Sequence, residues 1–267
     1  MPNVPIADSP LEALHIPAPM HAPASAPLVF LHEGLGSVAM WRDWPQRLCA
    51  QTARAGWVYS RRGYGQSESV HDVRGPSTDV NGARNGRMRP DYMHHEAWSV
   101  LPALLADWGV ERPVLIGHSD GGTIALLHAS RYPVSACIVM APHLMVEELS
   151  IRSITLAREA FLHEDLRSRL ARYHRDVDGA FWQWNDIWLD PAFRSFDIRA
   201  ECRNITAPVL ALQGADDPYG TLEQINSIAL PLQQIRREVL AQCGHSPHRE
   251  QADQVTELIA EFLASRA

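Results

Sequence analysis

The sequence predicts an α/β fold in which helices cover both faces of a mostly parallel sheet. Short apolar runs alternate with helical patterns along most of the chain. Apolar runs of this length, separated by helices, are typical of strands that are buried on both faces of a parallel sheet. The chain has 267 residues, of which 46% are hydrophobic, and this suits one domain with a single extended core.

The elements follow one another in the order expected for such a sheet. The predicted strands are 27–32, 57–60, 113–117, 136–141, 208–214 and 237–241, and the predicted helices are 94–108, 121–131, 222–228 and 252–264. Residues 1–26 are predicted to form a leader or a first edge strand, and 71–90 an irregular loop. Residues 27–143 and 201–267 then form the core domain. The mainly helical stretch 144–200 is expected to lie over the carboxyl ends of the strands as a lid.

The composition excludes several classes of partner and chemistry. The net charge of −7 offers no basic surface for nucleic acid. All 24 basic residues are Arg, which excludes chemistry that needs a Lys amine. Four scattered Cys favour a reducing cytoplasm over a disulfide framework or a zinc cluster, and no apolar run is long enough to span a membrane. We therefore expect a cytoplasmic protein that acts on a small molecule without a metal or organic cofactor. The sequence leaves monomer and homodimer open.

The strongest local signal is the G-H-S-D-G-G run at 117–122. It follows an apolar strand and precedes a helical pattern, which is the context that a nucleophile elbow requires. The tight turn of such an elbow holds its serine at the top of the sheet, at the positive end of a helix. Ser119 is therefore the predicted nucleophile.

A serine hydroxyl needs a base to remove its proton, and a fold of this kind supplies a histidine from the loop after the last strand. Gly244-His245 lies in that loop, so His245 is the predicted base. His248 is the nearest alternative. It lies three residues further on, where the chain should already enter the final helix.

The acid that orients the base should lie between the serine and the histidine in sequence. Asp216 and Asp217 both follow the strand that ends at Gly214. Neighbouring side chains point in different directions, so only one of the two can face His245. The Gly-x-x-Asp spacing favours Asp217, and Asp216 then serves as a turn or cap residue.

Two backbone amides are needed to stabilise negative charge on a carbonyl oxygen of the substrate. The residue after the nucleophile, Asp120, supplies one. The loop at 32–37, His-Glu-Gly-Leu-Gly-Ser, should supply the other, because its glycines allow amides to turn toward a ligand. Gly34 is the first choice for this donor and Leu35 the second.

Together these motifs resemble the α/β-hydrolase superfamily. The loop at 32–36, the S-R-R-G-Y-G-Q-S run at 60–67, the elbow, the G-A-D-D run at 214–217 and Gly244-His245 occur in that family's order. The resemblance covers the chain from residue 27 onward, and it implies a core sheet of about eight strands capped by a helical lid. Many relatives have His-Gly where this chain has His32-Glu33, and this departure places a carboxyl group near the site.

Six aromatic residues crowd the end of the predicted lid: Phe181, Trp182, Trp184, Trp188, Phe193 and Phe196. Core packing is one explanation, because a lid must bury an apolar face against the sheet domain. The same face often forms the wall of a pocket. We predict a substrate pocket formed by His32, Glu33, His118, Trp182, Trp184 and Trp188.

These features predict a serine hydrolase that cleaves a carboxylic ester or thioester of a small to medium apolar or aromatic acyl group through an acyl-enzyme. The same three residues also serve carbon–carbon bond hydrolysis, enol-lactone hydrolysis and cofactor-free perhydrolysis, because fold and triad do not determine the substrate. A non-catalytic ligand receptor on the same scaffold is a further alternative.

Overall fold

A sheet of eight strands forms the centre of the computed structural model, which describes residues 3–6, 9–75, 78–80 and 83–265. The strands of the described residues are β1 (Asn3–Ile6), β2 (Ser9–Ile16), β3 (Leu28–Leu31), β4 (Gly56–Tyr59), β5 (Thr78–Val80), β6 (Ala83–Asn85), β7 (Val114–His118), β8 (Ala136–Met140), β9 (Val209–Gly214) and β10 (Ile235–Leu240). The sheet has the order β1-β2-β4-β3-β7-β8-β9-β10. Its last six strands in this order, β4, β3, β7, β8, β9 and β10, are parallel to one another. The predicted α/β fold, with a mostly parallel sheet of about eight strands, is confirmed.

The two N-terminal strands are antiparallel. Strand β2 pairs with β4, and β1 pairs with β2 as the outermost strand. The segment predicted as a leader or a first edge strand therefore contributes two strands at one side of the sheet, and β1 is the edge strand.

Helices cover both faces of the sheet. They are α1 (Trp44–Thr52), α2 (Tyr92–His95), α3 (Leu101–Asp107), α4 (Asp120–Ala129), α5 (Glu148–His163), α6 (Leu166–Leu170), α7 (Val177–Trp188), α8 (Arg199–Cys202), α9 (Glu223–Asn226), α10 (Pro247–Glu250) and α11 (Ala252–Ala264). A π-helical turn, Glu96–Val100, joins α2 to α3, and short 3-10 turns occur at Ala39–Trp41 and Pro191–Ser195. Among the described residues, every helix is too short or too polar to traverse a lipid bilayer.

Strand side chains alternate between two apolar layers. Val29 and Leu31 pack in one layer, together with the apolar side chains of α4. Leu28 and Phe30 point to the other, where they meet α1 and α11. This alternation follows from the two-residue period of a strand, and it explains why the central strands are apolar throughout.

The helices α5 to α8 form an insertion between β8 and β9, which we call the inserted helices. The rings of Phe161 and Phe181 stack within it at 3.7 Å between centroids. Met145 and Asp197 pair at its base as an isolated antiparallel bridge, so the two ends of the insertion lie side by side. The division of the chain into a core at 27–143 and 201–267 and a lid at 144–200 stays a prediction.

The sequence predicted an irregular loop at 71–90, but the segment contains regular structure. Strands β5 and β6 pair within it as an antiparallel ladder, with Asp79 opposite Arg84. Residues 76, 77, 81 and 82 of the same segment lie outside the described residues.

Candidate active site

Ser119 lies in a sharp turn between the end of β7 and the start of α4. Its backbone angles are φ 52° and ψ −119°, a combination that L-residues rarely adopt and that costs on the order of 1–3 kcal/mol. A Cβ on Gly117 would lie 2.2 Å from the Gly121 oxygen, and one on Gly121 would lie 2.0 Å from the Leu31 oxygen. The glycines of the predicted elbow are therefore required for strand and helix to approach so closely.

A continuous chain of hydrogen bonds joins Ser119, His245 and Asp217. The His245 Nε2 atom is 3.0 Å from the Ser119 Oγ atom, and the Nδ1 atom is 2.9 Å from each Asp217 carboxylate oxygen. The structure thus brings these three predicted residues together. Asp216, the alternative acid, is solvent-exposed, and its amide bonds the Cys243 oxygen.

Asp217 is held as a carboxylate by three donors. Besides His245, the side-chain amide of Gln213 donates to Oδ2 at 2.6 Å, and the backbone amide of Tyr219 donates to Oδ1 at 2.8 Å. Burial acts to raise the pKa of Asp217, but the hydrogen bond and charge of His245 outweigh it, and the pKa lies below its usual value. The carboxylate therefore stays ionised at neutral pH.

The loop that carries His245 is fixed from both sides. The His118 Nε2 atom donates to the His245 carbonyl oxygen at 2.7 Å. The Glu250 carboxylate accepts the amides of Gly244 and Ser246, at 2.6 and 2.9 Å. These contacts restrict the imidazole to one position.

His248, the alternative base, lies elsewhere. Its ring packs against Trp41 and Trp44 at 4.7 and 5.3 Å between centroids, and burial lowers its pKa well below the ordinary value. It is only 2% exposed. The structure thus places it in an aromatic pocket of the core.

The two predicted oxyanion residues, Gly34 and Asp120, both border one cavity next to Ser119, as does Leu35. Gly34 must be a glycine for a steric reason, because a Cβ there would lie 2.1 Å from the indole nitrogen of Trp184. Trp184 belongs to α7, so the inserted helices pack directly on the loop at 32–37, which we call the oxyanion loop. Glu33 has no positive φ angle, and the loop therefore accepts a side chain at this position.

The carboxyl groups of Glu33 and Asp120 have different environments. Burial acts to raise the pKa of Glu33, but His118, whose Nδ1 atom is 3.5 Å away, brings it far below the usual value. Burial raises the pKa of Asp120, although Arg61 and Tyr92 oppose the rise. The Tyr92 hydroxyl donates to Asp120 at 2.6 Å and itself accepts the indole N–H of Trp188 at 3.1 Å.

The cavity beside Ser119 has a volume of about 210 Å³. Its apolar wall is formed by Leu35, Ile154, Trp184 and Trp188. The polar residues that line it are Glu33, His118, Ser119, Asp120, His143, Tyr219, His245 and Ser246. None of these described lining residues is an arginine.

Two of the predicted pocket residues do not line this cavity. His32, the first residue of the oxyanion loop, is fully buried, and burial lowers its pKa well below the ordinary value. The Trp182 ring lies beside the guanidinium groups of Arg74 and Arg158, at 4.1 and 5.5 Å from its centroid. The other four predicted residues, Glu33, His118, Trp184 and Trp188, do line it.

Four lining residues were not predicted from the sequence: His143, Ile154, Tyr219 and Ser246. Two of them carried a usable signal. His143 follows the carboxyl end of β8, and Tyr219 follows Asp217 by two residues. Within the part of the chain that the structure describes, no group of three or more His, Cys, Asp or Glu side chains is arranged to hold a metal ion.

The known proteins that this chain resembles include hydrolases. A model of the alpha/beta hydrolase family matches residues 28–258. The chain is 25% identical to a 2-hydroxy-6-oxo-6-phenylhexa-2,4-dienoate hydrolase of Comamonas testosteroni over 193 residues, which cover 62% of this chain and 68% of that protein. It is 27% identical to a bifunctional esterase/perhydrolase of Acinetobacter calcoaceticus over 232 residues, which cover 73% and 76%.

The fold of the chain also resembles that of solved structures. The crystal structure of the enol-lactonase from Burkholderia xenovorans superposes with a TM-score of 0.70 at 21% identity, and the match covers 98% of this chain and 100% of that one. The superfamily resemblance of the motifs is thus confirmed. Since the family model spans most of the chain, the protein belongs to the alpha/beta hydrolase family of enzymes.

Proposed function

We propose that the protein hydrolyses neutral carboxylic esters or thioesters with a small to medium apolar or aromatic acyl group. The hydrogen-bonded chain from Ser119 through His245 to Asp217, beside a cavity of about 210 Å³, carries this proposal. An ionised Asp217 only accepts hydrogen bonds, so His245 carries its proton on Nδ1. The bare Nε2 atom then faces the Ser119 hydroxyl, and this is the tautomer that a general base needs.

The reaction proceeds in two halves. Ser119 Oγ attacks the carbonyl carbon while His245 Nε2 takes its proton, and the tetrahedral intermediate collapses as His245 gives that proton to the leaving alcohol or thiol. Water then attacks the acyl-enzyme with His245 again as the base. The acid leaves, and the proton returns to Ser119.

Charge on the carbonyl oxygen is stabilised by the amides of Gly34 and Asp120. Both residues border the cavity at Ser119, one from the loop after β3 and the other from the first turn of α4. A helix N-terminus adds partial positive charge at the second amide. Each such donor contributes on the order of 10²–10³ in kcat.

The charges of the cavity favour a neutral substrate. Glu33 is ionised, because its pKa lies far below the usual value, and arginine is absent from the described lining residues. An acyl group that carries its own carboxylate would be repelled in this environment. The indoles of Trp184 and Trp188 supply apolar surface for an aliphatic or aromatic acyl chain.

A second candidate function is carbon–carbon bond or enol-lactone hydrolysis. Similarity to the dienoate hydrolase and to the enol-lactonase supports it. Dienoate substrates carry a carboxylate, and the acidic cavity disfavours them. The bifunctional esterase/perhydrolase is a relative whose name includes the ester reaction proposed here.

The test is a comparison of substrates on the same enzyme. We expect turnover of p-nitrophenyl esters from acetate to benzoate, with lower kcat/KM for a 2-hydroxy-6-oxo-dienoate or an enol-lactone acid. Ser119→Ala should reduce ester turnover by about 10³-fold or more, whereas the control Ser130→Ala, at the end of α4, should not. A fluorophosphonate that fails to add to Ser119, or a preference for the dienoate, would contradict the proposal.

A further inference from the structure

Arg61 is a buried arginine beneath the oxyanion loop. It follows β4 and is 2% exposed. Its Nη1 atom donates to the His32 carbonyl oxygen at 2.6 Å, and its Nη2 atom donates to the Glu33 carbonyl oxygen at 2.9 Å. The Nε atom has no hydrogen-bond partner among the described groups. The charged end of Arg61 is therefore directed to the main chain of one loop.

His32 adds a second donor to the same carbonyl oxygen. Its Nδ1 atom is 2.7 Å from the Glu33 oxygen, and its Nε2 atom is 3.0 Å from the Arg61 backbone nitrogen. A carbonyl oxygen only accepts and an amide N–H only donates, so the proton is on Nδ1 and Nε2 is bare. The Glu33 carbonyl oxygen thus accepts one bond from a guanidinium group and one from a neutral imidazole, in addition to the bond from the Gly36 amide at 3.1 Å.

The Glu33 carbonyl and the Gly34 amide belong to the same peptide group. A trans peptide is planar and its C=O and N–H point in opposite directions, so fixing the carbonyl also fixes the direction of the N–H. Hydrogen bonds accepted at the oxygen polarise the group and strengthen its N–H as a donor, by roughly 10–30% per bond. Bonds from an ionised donor are about twice as strong as neutral ones.

We propose that Arg61 is a positioning residue for the oxyanion hole, acting through the Glu33–Gly34 peptide. It aims the Gly34 amide at the substrate oxygen and increases the partial positive charge on that N–H. The inference rests on the proposed function, since it needs an oxyanion to form at Ser119. A merely structural clamp would stabilise the folded chain and would leave the relative affinity for ground state and transition state unchanged.

The test uses Arg61→Met and Arg61→Lys with a matched control, Arg54→Met. Arg54 also donates to a main-chain oxygen, that of Ala26 at 2.7 Å, but remote from Ser119. For each protein we would measure kcat and KM for a p-nitrophenyl ester and the Ki of an alkyl trifluoromethyl ketone. The ketone adds Ser119 Oγ to its carbonyl carbon and gives the oxygen a negative charge, so it reports the oxyanion hole. Melting temperature reports the structural contribution separately.

We expect Arg61→Met to lower kcat by about 10²-fold, with KM changed by less than about threefold. The ketone Ki should rise in the same proportion, so that log(kcat/KM) plotted against log Ki over the variants has a slope near −1. Arg61→Lys keeps the charge with a single donor group and should lie between Met and the wild type. Arg54→Met should lower the melting temperature alone.

Loss of stability with kcat and Ki both within threefold of the wild type would overturn the inference, as would a fall in kcat without weaker ketone binding. If Arg61→Met does not fold, the same criteria apply to Arg61→Lys. Failure of the proposed function gives a different result. In that case the wild type itself neither turns over the ester nor binds the ketone.

Discussion

Replacing Asp217 by Asn tests whether a carboxylate or packing alone holds His245 as a base. Three donors converge on this carboxylate: the ring of His245, the side chain of Gln213 and the amide of Tyr219. An Asn offers one accepting oxygen and one NH₂ group. Its NH₂ group must therefore face at least one of these three donors, and two donors cannot form a hydrogen bond with each other. Gln213 can relieve this conflict by a flip, because its own Oε1 atom has no hydrogen-bond partner among the described groups.

The variant should therefore fold and lose most of its turnover. With an NH₂ group beside the ring, His245 favours the tautomer that carries its proton on Nε2, and this form cannot accept the Ser119 proton. Such a change is worth on the order of 10⁴ in kcat, or about 5 kcal/mol of transition-state stabilisation. The lost hydrogen bond is worth only about 1 kcal/mol to folding, which lowers the melting temperature by about 2–4 °C in a chain of this size.

The assay is p-nitrophenyl ester hydrolysis with thermal unfolding of the same preparations. The adjacent carboxylate provides the control, because Asp216 is exposed and Asp216→Asn should keep kcat within about twofold. The reasoning would be refuted if Asp217→Asn kept more than a tenth of the wild-type kcat. A larger loss in Asp216→Asn would refute it equally.

Three other substitutions test the site and the core. Gly34→Ala should lower kcat about 10²-fold, because its methyl would lie 2.1 Å from the Trp184 nitrogen and must displace the oxyanion amide or the indole; wild-type kinetics would argue against this. Glu250→Gln should lower kcat about tenfold, since a glutamine can accept only one of the two amides that flank His245; an unchanged kcat would show that the loop needs neither. Burial lowers the pKa of the His128 imidazole from 6.5 to about 4. As the pH falls, the unfolded chain takes up a proton at this residue before the folded chain does, so stability decreases from about pH 6.5 to about pH 4. His128→Asn should remove about 3 kcal/mol of that loss in urea unfolding at the two ends of this range, and equal losses in both proteins would contradict the assignment.

The elements that the sequence predicted well are those set by short-range rules. The turn at Ser119 combines a strand, two glycines and a helix within a few residues, so its geometry follows from local sterics. The preference for Asp217 over Asp216 came from the Gly-x-x-Asp spacing, because neighbouring side chains point in different directions and only one of the two can face His245. Asn81-Gly82, a pair favoured in two-residue hairpin turns, was a usable signal for the ladder of β5 and β6 that the prediction of an irregular loop overlooked.

Helix geometry explains the error at Trp182. Side chains four residues apart share one helix face, whereas those two apart point about 200° away from each other. Trp184 and Trp188 therefore face the cavity together, and Trp182 points to the arginines on the other side of α7. The sequence showed that aromatic residues crowd this segment, but it did not show which face of α7 would meet the cavity.

Arg61 and Tyr92 could not be found from the sequence, because their partners are distant along the chain. Arg61 reaches a loop 28 to 29 residues before it, and Tyr92 reaches Asp120, 28 residues after it. Each contact depends on the order of strands in the sheet. A motif search gives no reason to prefer Arg61 over its neighbour Arg62.

In the proposed reaction, the placement of charge around Ser119 links catalysis to product release. The one buried guanidinium group described here, that of Arg61, lies behind the oxyanion loop and donates to the carbonyl oxygens of His32 and Glu33. The lining residues include Glu33, whose carboxyl has a pKa far below its usual value, and Asp120, whose carboxyl is buried against Tyr92. In the proposed ester hydrolysis, the substrate carbonyl accepts from two polarised amides, and the developing oxyanion gains from the positive charge behind them. The product acid ionises to a carboxylate that has left the amides and lies near the ionised Glu33 side chain, so repulsion favours its departure. The same arrangement that stabilises a transient negative charge on one oxygen therefore weakens the binding of a permanent one.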